Sequence, residues 1–225
     1  MTGCMGSLVW EWPQERPKLF RQTLENMTAW LKSAEYIGPI DGNFIIDYKE
    51  HKPYFIEFSP RLGWNAFEAL MAMHGVNWLE QLAKGELKRD QFTPAYQNFG
   101  IAVRLYVPAI KDMPILAPLD EGYQLYPKDI YRDEEDQLRV VGTEGIPSFA
   151  IIFEATGTGS TVQRAASVVY EDVIPSVTAP DLAFRDDIGE KAAQDIELLE
   201  QWGYIVHADP KRKSHPYVGT VGAGS

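Results

Sequence analysis

The sequence predicts an α+β fold in two parts, and three observations predict it. Two strand-like runs, 40–48 and 54–59, flank a polar turn at 49–53, the pattern of an antiparallel hairpin with a longer loop. Helix-period segments at 18–34 and 66–74 bracket that hairpin. From about residue 91 the pattern shifts to period two (Ile101, Val103, Leu105, Val107), with turns at Pro114, Pro118 and Pro127, before one closing helix near the end. The expected organisation is therefore an antiparallel sheet with helices over residues 1–90, a small β-rich domain with a closing helix over 91–208, and a mobile tail over 209–225. No internal repeat is present.

Taken in order, the chain begins with Met1-Thr2-Gly3-Cys4-Met5-Gly6-Ser7, a Gly-containing loop with no element before it. Pro13 and Pro17 mark the entry to the first helix, whose Leu19, Phe20, Leu24, Met27 and Leu31 share one face; Gly38-Pro39 ends it. Asn65 is placed to cap the small, apolar helix 66–74, and Gly75 to end it. A short helix is expected over 78–84. Segments 138–141, 149–155 and 164–170 read as further β material, with Gly157-Thr158-Gly159 as a tight turn between two strands. A helix over 187–202 carries Ile188, Ala192, Ile196, Leu199 and Trp202 on one face.

Composition narrows the function classes. With 45% hydrophobic residues the chain can supply a core, and it has no apolar run long enough to span a bilayer. No secretory signal pattern opens the sequence, and its single cysteine, Cys4, cannot form an internal disulfide. A cytoplasmic protein is expected. The net charge of -11 argues against a general nucleic-acid binder but leaves room for a local nucleotide site.

The stretch with most chemistry is Tyr54-Phe55-Ile56-Glu57-Phe58-Ser59-Pro60-Arg61-Leu62-Gly63. Strict alternation sends Tyr54, Ile56 and Phe58 to one face and Phe55, Glu57 and Ser59 to the other. A carboxylate set between bulky apolar neighbours needs a partner, and a hard cation suits oxygen donors. Arg61 follows where it can hold a phosphate oxygen. The plainer alternative is a strand-end Glu–Arg ion pair. Asp41 and Asp47 lie on the preceding strand, so a metal-dependent hydrolase built on Asp41, Asp47 and Glu57 is a further alternative.

The order of motifs resembles the C-terminal half of ATP-grasp ligases, most specifically phosphoribosylamine–glycine ligases of purine biosynthesis. Thr2-Gly3-Cys4-Met5-Gly6 is similar to the family's Thr-Gly-Gly-Met-Gly loop. Glu57-Phe58-Ser59-Pro60-Arg61-Leu62-Gly63 is similar to its Glu-Phe-Asn-x-Arg-Phe-Gly strand, and Phe184-Arg185-Asp186-Asp187-Ile188-Gly189 to a late Tyr-Arg-Arg-Asp-Ile-Gly stretch. The resemblance implies an ATP-dependent carboxylate–amine ligase working through an acyl phosphate. By it, Glu57 and Ser59 would bind magnesium (or manganese), and Glu57 and Arg61 would engage ATP, Arg61 acting on the phosphate. Gly3, Met5, Gly6, Asn65 and Arg185 would line the substrate site. The ATP-clamping lysines would come from a preceding N-terminal half, in one parent chain or as a separate subunit. Four departures stand out: Ser59 for Asn, Cys4 for Gly, Trp64-Asn65-Ala66 for Asp-Pro-Glu, and Asp186 for Arg. They point to a different acceptor or to lost activity, so a non-catalytic binding or scaffold module with the same fold is the alternative.

Overall fold

The computed structural model describes residues 5–10, 18–75, 80–81, 83–84, 99–119, 124–142 and 148–204. A four-stranded antiparallel sheet forms its centre, with strand order β1-β4-β9-β6. The strands are β1 (Gly6–Trp10), β4 (Phe99–Pro108), β6 (Leu125–Pro127) and β9 (Phe149–Gly159). The hairpin β2 (Asp41–Asp47) and β3 (Lys52–Ser59) is a separate two-stranded sheet. A small third sheet joins β5 (Pro114–Ile115), β8 (Leu138–Val140) and β7 (Ile130–Arg132). Antiparallel sheets with helices make this an α+β fold, as expected. Among the described residues no helix is long and apolar enough to cross a membrane.

The period-two run on β4 explains the core. Ile101, Val103, Leu105 and Val107 are fully buried against Val162, Ala165, Val169 and Ile196. These belong to α4 (Val162–Ser167), the π-helical turn Val168–Val173 that continues it, and the closing helix α5 (Glu190–Gln201). The opposite, even-numbered face of β4 carries Gly100, Ala102, Arg104 and Tyr106. It meets α3 (Ala66–His74), whose Ala69, Met71 and Met73 are buried. A side chain at Gly100 would run into Met73 Sδ at 2.8 Å, so this face is packed backbone-close.

Several expectations are corrected. The single helix over 18–34 is three short pieces: α1 (Lys18–Gln22), a 3-10 turn (Leu24–Met27) and α2 (Thr28–Ser33). Thr23 marks the break: its hydroxyl donates to Leu19 O at 2.6 Å, a back-bond that competes with the regular ladder. Segment 164–170 is helical, not β. Thr161 accepts from Arg164 N at 3.1 Å and caps α4, and the helical backbone runs on through Val168 and Val169, whose β-branched side chains favour strand. Gly157-Thr158-Gly159 is the end of β9, not a turn. A Cβ at Gly157 would lie 2.3 Å from Ala165 O and one at Gly159 2.6 Å from Ala165 N, so both glycines let α4 approach the strand. Gly6 and Ser7 are paired strand residues opposite Val103 and Ala102, not loop. Of the expected helix over 78–84, four residues are described: Glu80, Gln81 and Ala83 are helical, and Lys84 N donates to Glu80 O at 3.0 Å. The boundary near residue 90 and the tail lie outside the described residues.

Candidate functional site

The hairpin register assembles the first part of the site. Asp41 pairs with Ser59 and Asn43 with Glu57, so the four side chains share one face at the open end of the hairpin. Asn43 Nδ2 donates to Asp41 Oδ2 at 3.4 Å within that face. Between Asn43 and Phe44 the register slips, so Phe44 lies opposite Phe55 and Ile56 is the extra residue of a β-bulge. The bulge breaks the strict alternation expected from sequence. Phe55 turns away from Glu57 and joins Phe44 (5.5 Å between ring centroids) and Phe58 on the other face, where Trp30 meets Phe58 edge-on at 5.7 Å. Glu57 is exposed rather than buried, because the bulge leaves it on the open, polar face.

Just past β3, Arg61 turns back toward this face. Its Nη1 donates to Leu62 O at 3.0 Å and stands 4.0 Å from Asp41 Oδ2. The expected Glu57–Arg61 pair is thus replaced by Asp41–Arg61, with both side chains partly exposed. Asp47 is paired with Lys52 at the far end of the hairpin, six residues along β2 from Asp41, roughly 20 Å away at strand rise. Among the described residues no three His, Cys, Asp or Glu side chains form a metal-binding group. The hydrolase alternative built on Asp41, Asp47 and Glu57 therefore loses its cluster.

Beyond Arg61 the chain passes Trp64 and Asn65 into α3. Asn65 adopts a left-handed backbone (φ 62°) and is buried. Trp64 stays exposed, with its ring 6.0 Å from the Arg61 guanidinium carbon and 4.8 Å from that of Arg104. Beneath it lies a group of charges that the sequence reading missed. Arg104 Nε donates to Glu154 Oε1 at 2.6 Å, both side chains being more than nine-tenths buried, and Lys128 pairs with Glu68 of α3. Burial pushes the Glu154 carboxyl up to about 7, against the pull of Arg104 and with Glu68 adding to the rise. The signal was available: Arg104 and Glu154 each interrupt an otherwise apolar strand.

The strand β1 links the motifs. Arg104 N donates to Met5 O at 3.1 Å, and Ser7 Oγ to Trp64 O at 3.4 Å, which sets the end of the Met1–Ser7 stretch against Trp64 and Arg104. Gly6 points the other way, where a Cβ would lie 2.7 Å from Ile188 Cγ1. The Phe184–Gly189 stretch therefore lies across β1 from Trp64, and Arg185 is engaged there with Asp187 (Nη2–Oδ2 2.9 Å). Tyr170 O–H donates to Arg185 O at 2.8 Å and accepts from Ile188 N at 3.0 Å; burial raises its own pKa to about 12. Glu57, Ser59 and Arg61 thus gather at the hairpin end, Met5 meets Arg104 beneath Trp64, Asn65 is buried at the start of α3, and Gly6 faces the Phe184–Gly189 stretch that carries Arg185. Gly3 lies outside the described residues.

Comparison with solved structures bears on the fold. The phosphoribosylamine–glycine ligase of Thermotoga maritima superposes with a TM-score of 0.59 at 20% identity, over 82% of this chain and 46% of that one. The chain has an ATP-grasp ligase-like fold. It spans about half the length of that ligase. The urea carboxylase of Kluyveromyces lactis (TM-score 0.45, 14% identity, 74% of this chain and 15% of that one) is more distant. So is the biotin carboxylase domain of a single-chain bacterial carboxylase (0.43, 11%, 88% and 50%). No protein-family model and no curated protein sequence matches the chain.

Proposed function

We propose that the chain is the metal- and phosphate-binding part of an ATP-dependent carboxylate–amine ligase that works through an acyl phosphate. The observation that carries this reading is the polar face at the open end of the hairpin. Asp41, Asn43, Glu57 and Ser59 offer two carboxylates, an amide oxygen and a hydroxyl, with Arg61 at its rim. This donor set suits magnesium or manganese, a hard cation that takes one or two protein carboxylates and completes its shell with phosphate oxygens and water. When bound, the ion neutralises charge on the ATP phosphates.

The chain's own contribution is orientation. Asp41 and Glu57 hold negative charge on one face, and Arg61, tethered to Leu62 O, presents the rest of its guanidinium to the transferred phosphoryl. A substrate carboxylate oxygen attacks the γ-phosphorus and ADP leaves. An amine then attacks the acyl carbon and inorganic phosphate departs. The resemblance to phosphoribosylamine–glycine ligases supports glycine as the acid and a place in purine biosynthesis. A preceding half, in the same parent chain or a separate subunit, supplies the remaining ATP contacts in this reading. The exposed Trp30, Ile45, Tyr54, Phe55, Ile56 and Phe58 on the hairpin and beside it are consistent with a surface that another segment covers.

Manganese tests the assignment. In the presence of ATP, Mn²⁺ is expected to broaden the amide signals of Asp41, Asn43, Glu57 and Ser59 and to spare those of Asp47 and Lys52. Broadening centred elsewhere, or surviving unchanged in Glu57→Ala, removes the hairpin from the metal site.

A further inference from the structure

We infer that Arg104 is a substrate-binding residue of this site and that it takes a small planar carboxylate, with Glu154 as its positioning partner and Trp64 as its cover. The inference rests on the ligase reading above and names the group that reads the acid substrate.

Four observations converge. The Arg104–Glu154 pair stands in the face between β4, β9 and α3, where a buried charge pair is costly and an apolar pair would pack as well. Its fork is only partly used: Nε of Arg104 and Oε1 of Glu154 are joined and the Tyr106 side chain engages the guanidinium, whereas among the described residues buried Nη2 and Oε2 have no hydrogen-bond partner. A buried donor without a partner is costly, and a ligand oxygen would relieve that cost. Access is short, because Trp64 lies over the guanidinium at 4.8 Å and is itself 64% exposed. The position also borders the hairpin site: Met5 O accepts from Arg104 N, and the same indole stands 6.0 Å from the Arg61 guanidinium carbon.

Charge selects the ligand. Arg104 and Lys128 are balanced locally by Glu154 and Glu68, so a dianionic phosphate would meet two carboxylates at close range. A monoanionic, flat carboxylate fits a guanidinium edge beside an indole. Arg61, exposed and near the hairpin donors, is left for the phosphoryl group.

The test is a titration of the full chain labelled with ¹⁵N-arginine, at constant ionic strength, with acetate as the carboxylate probe and inorganic phosphate and chloride as controls. The Arg104 Nε–H signal is identified by its loss in Arg104→Lys. Acetate is expected to move that signal saturably, and phosphate and chloride to leave it in place. Acetate affinity, read separately by saturation transfer to its methyl group, is expected to fall about tenfold in Arg104→Lys, since lysine has no fork. Should Arg104→Lys fail to fold, the double variant Arg104→Met, Glu154→Leu, which removes both charges together, must show the same loss of affinity. No saturable shift, an equal shift with phosphate, or undiminished acetate binding in whichever variant folds would overturn the inference. Glu57→Ala separates the two readings: it abolishes Mg-ATP binding if the hairpin holds the metal, yet leaves the acetate shift at Arg104 intact.

Discussion

The hairpin end and the Arg104–Glu154 pair are joined through one tryptophan, yet they handle charge in opposite ways. At the hairpin, Glu57 and Arg61 are exposed, and the Asp41–Arg61 contact is loose at 4.0 Å. Beneath Trp64, Arg104 and Glu154 are locked at 2.6 Å and shielded from water. Exposed charges contribute little to stability and stay available to a ligand. Buried charges dominate the local energetics whether or not a ligand comes. The hairpin should therefore tolerate mutation and lose binding, while the buried pair should lose stability first.

The largest expected effect sharpens that contrast. Arg104→Ala leaves Glu154 buried without its cation and should cost about 3–5 kcal/mol in urea unfolding. Glu57→Ala should stay within about 0.5 kcal/mol of the parent chain. Equal costs in the two variants would erase the distinction.

A pH series probes the same pair. The folded Glu154 carboxyl titrates at about 7, above its ordinary value of 4.5. Between those values the folded state holds a proton that the unfolded state has released. This contribution is fully present below about pH 4.5, declines as pH rises to about 7 and is then flat, a total of about 3 kcal/mol. Among the described residues, Glu68, Lys128, Arg104, Tyr106 and Tyr126 are charged or titratable groups around the pair, and Glu154→Gln should remove this part of the slope. A slope unchanged in that variant would assign it elsewhere.

Away from both sites the expected effects shrink. Gly157→Ala forces a methyl to 2.3 Å from Ala165 O and should cost about 1–3 kcal/mol. Thr161→Ala removes the cap on Arg164 N and should cost about 1 kcal/mol. Thermal unfolding reads both. A neutral Gly157→Ala would show that α4 can move off the strand.

These glycines show where sequence reasoning reached its limit. Gly157 and Gly159 look like turn residues in one dimension, and only the helix packed on β9 reveals that they provide closeness. The segment 164–170 reads as a strand because its valines are β-branched, but the Thr161 cap and burial against β9 override that propensity. The α+β class, the hairpin, the helix over 66–74 and the alternating strand 101–107 were legible, since each repeats a period over several residues. Glu57, Ser59 and Arg61 were legible as a motif. Asp41 was legible as a carboxylate on the preceding strand, but its place beside Ser59, and that of Asn43 beside Glu57, became visible only with the register, and the bulge at Ile56 sends Phe55 to the opposite face. Arg104 and Glu154 lie fifty residues apart, so pairing them requires knowing that β4 lies beside β9.

The central claim is that the open end of the hairpin binds a metal–nucleotide pair through Glu57. Calorimetric titration of Mg-ATP into the chain, alongside Glu57→Ala, tests it most directly. The account predicts magnesium-dependent heat that disappears in the variant while the fold is retained. Magnesium-dependent heat undiminished in Glu57→Ala, or no such heat in the parent chain, would contradict it.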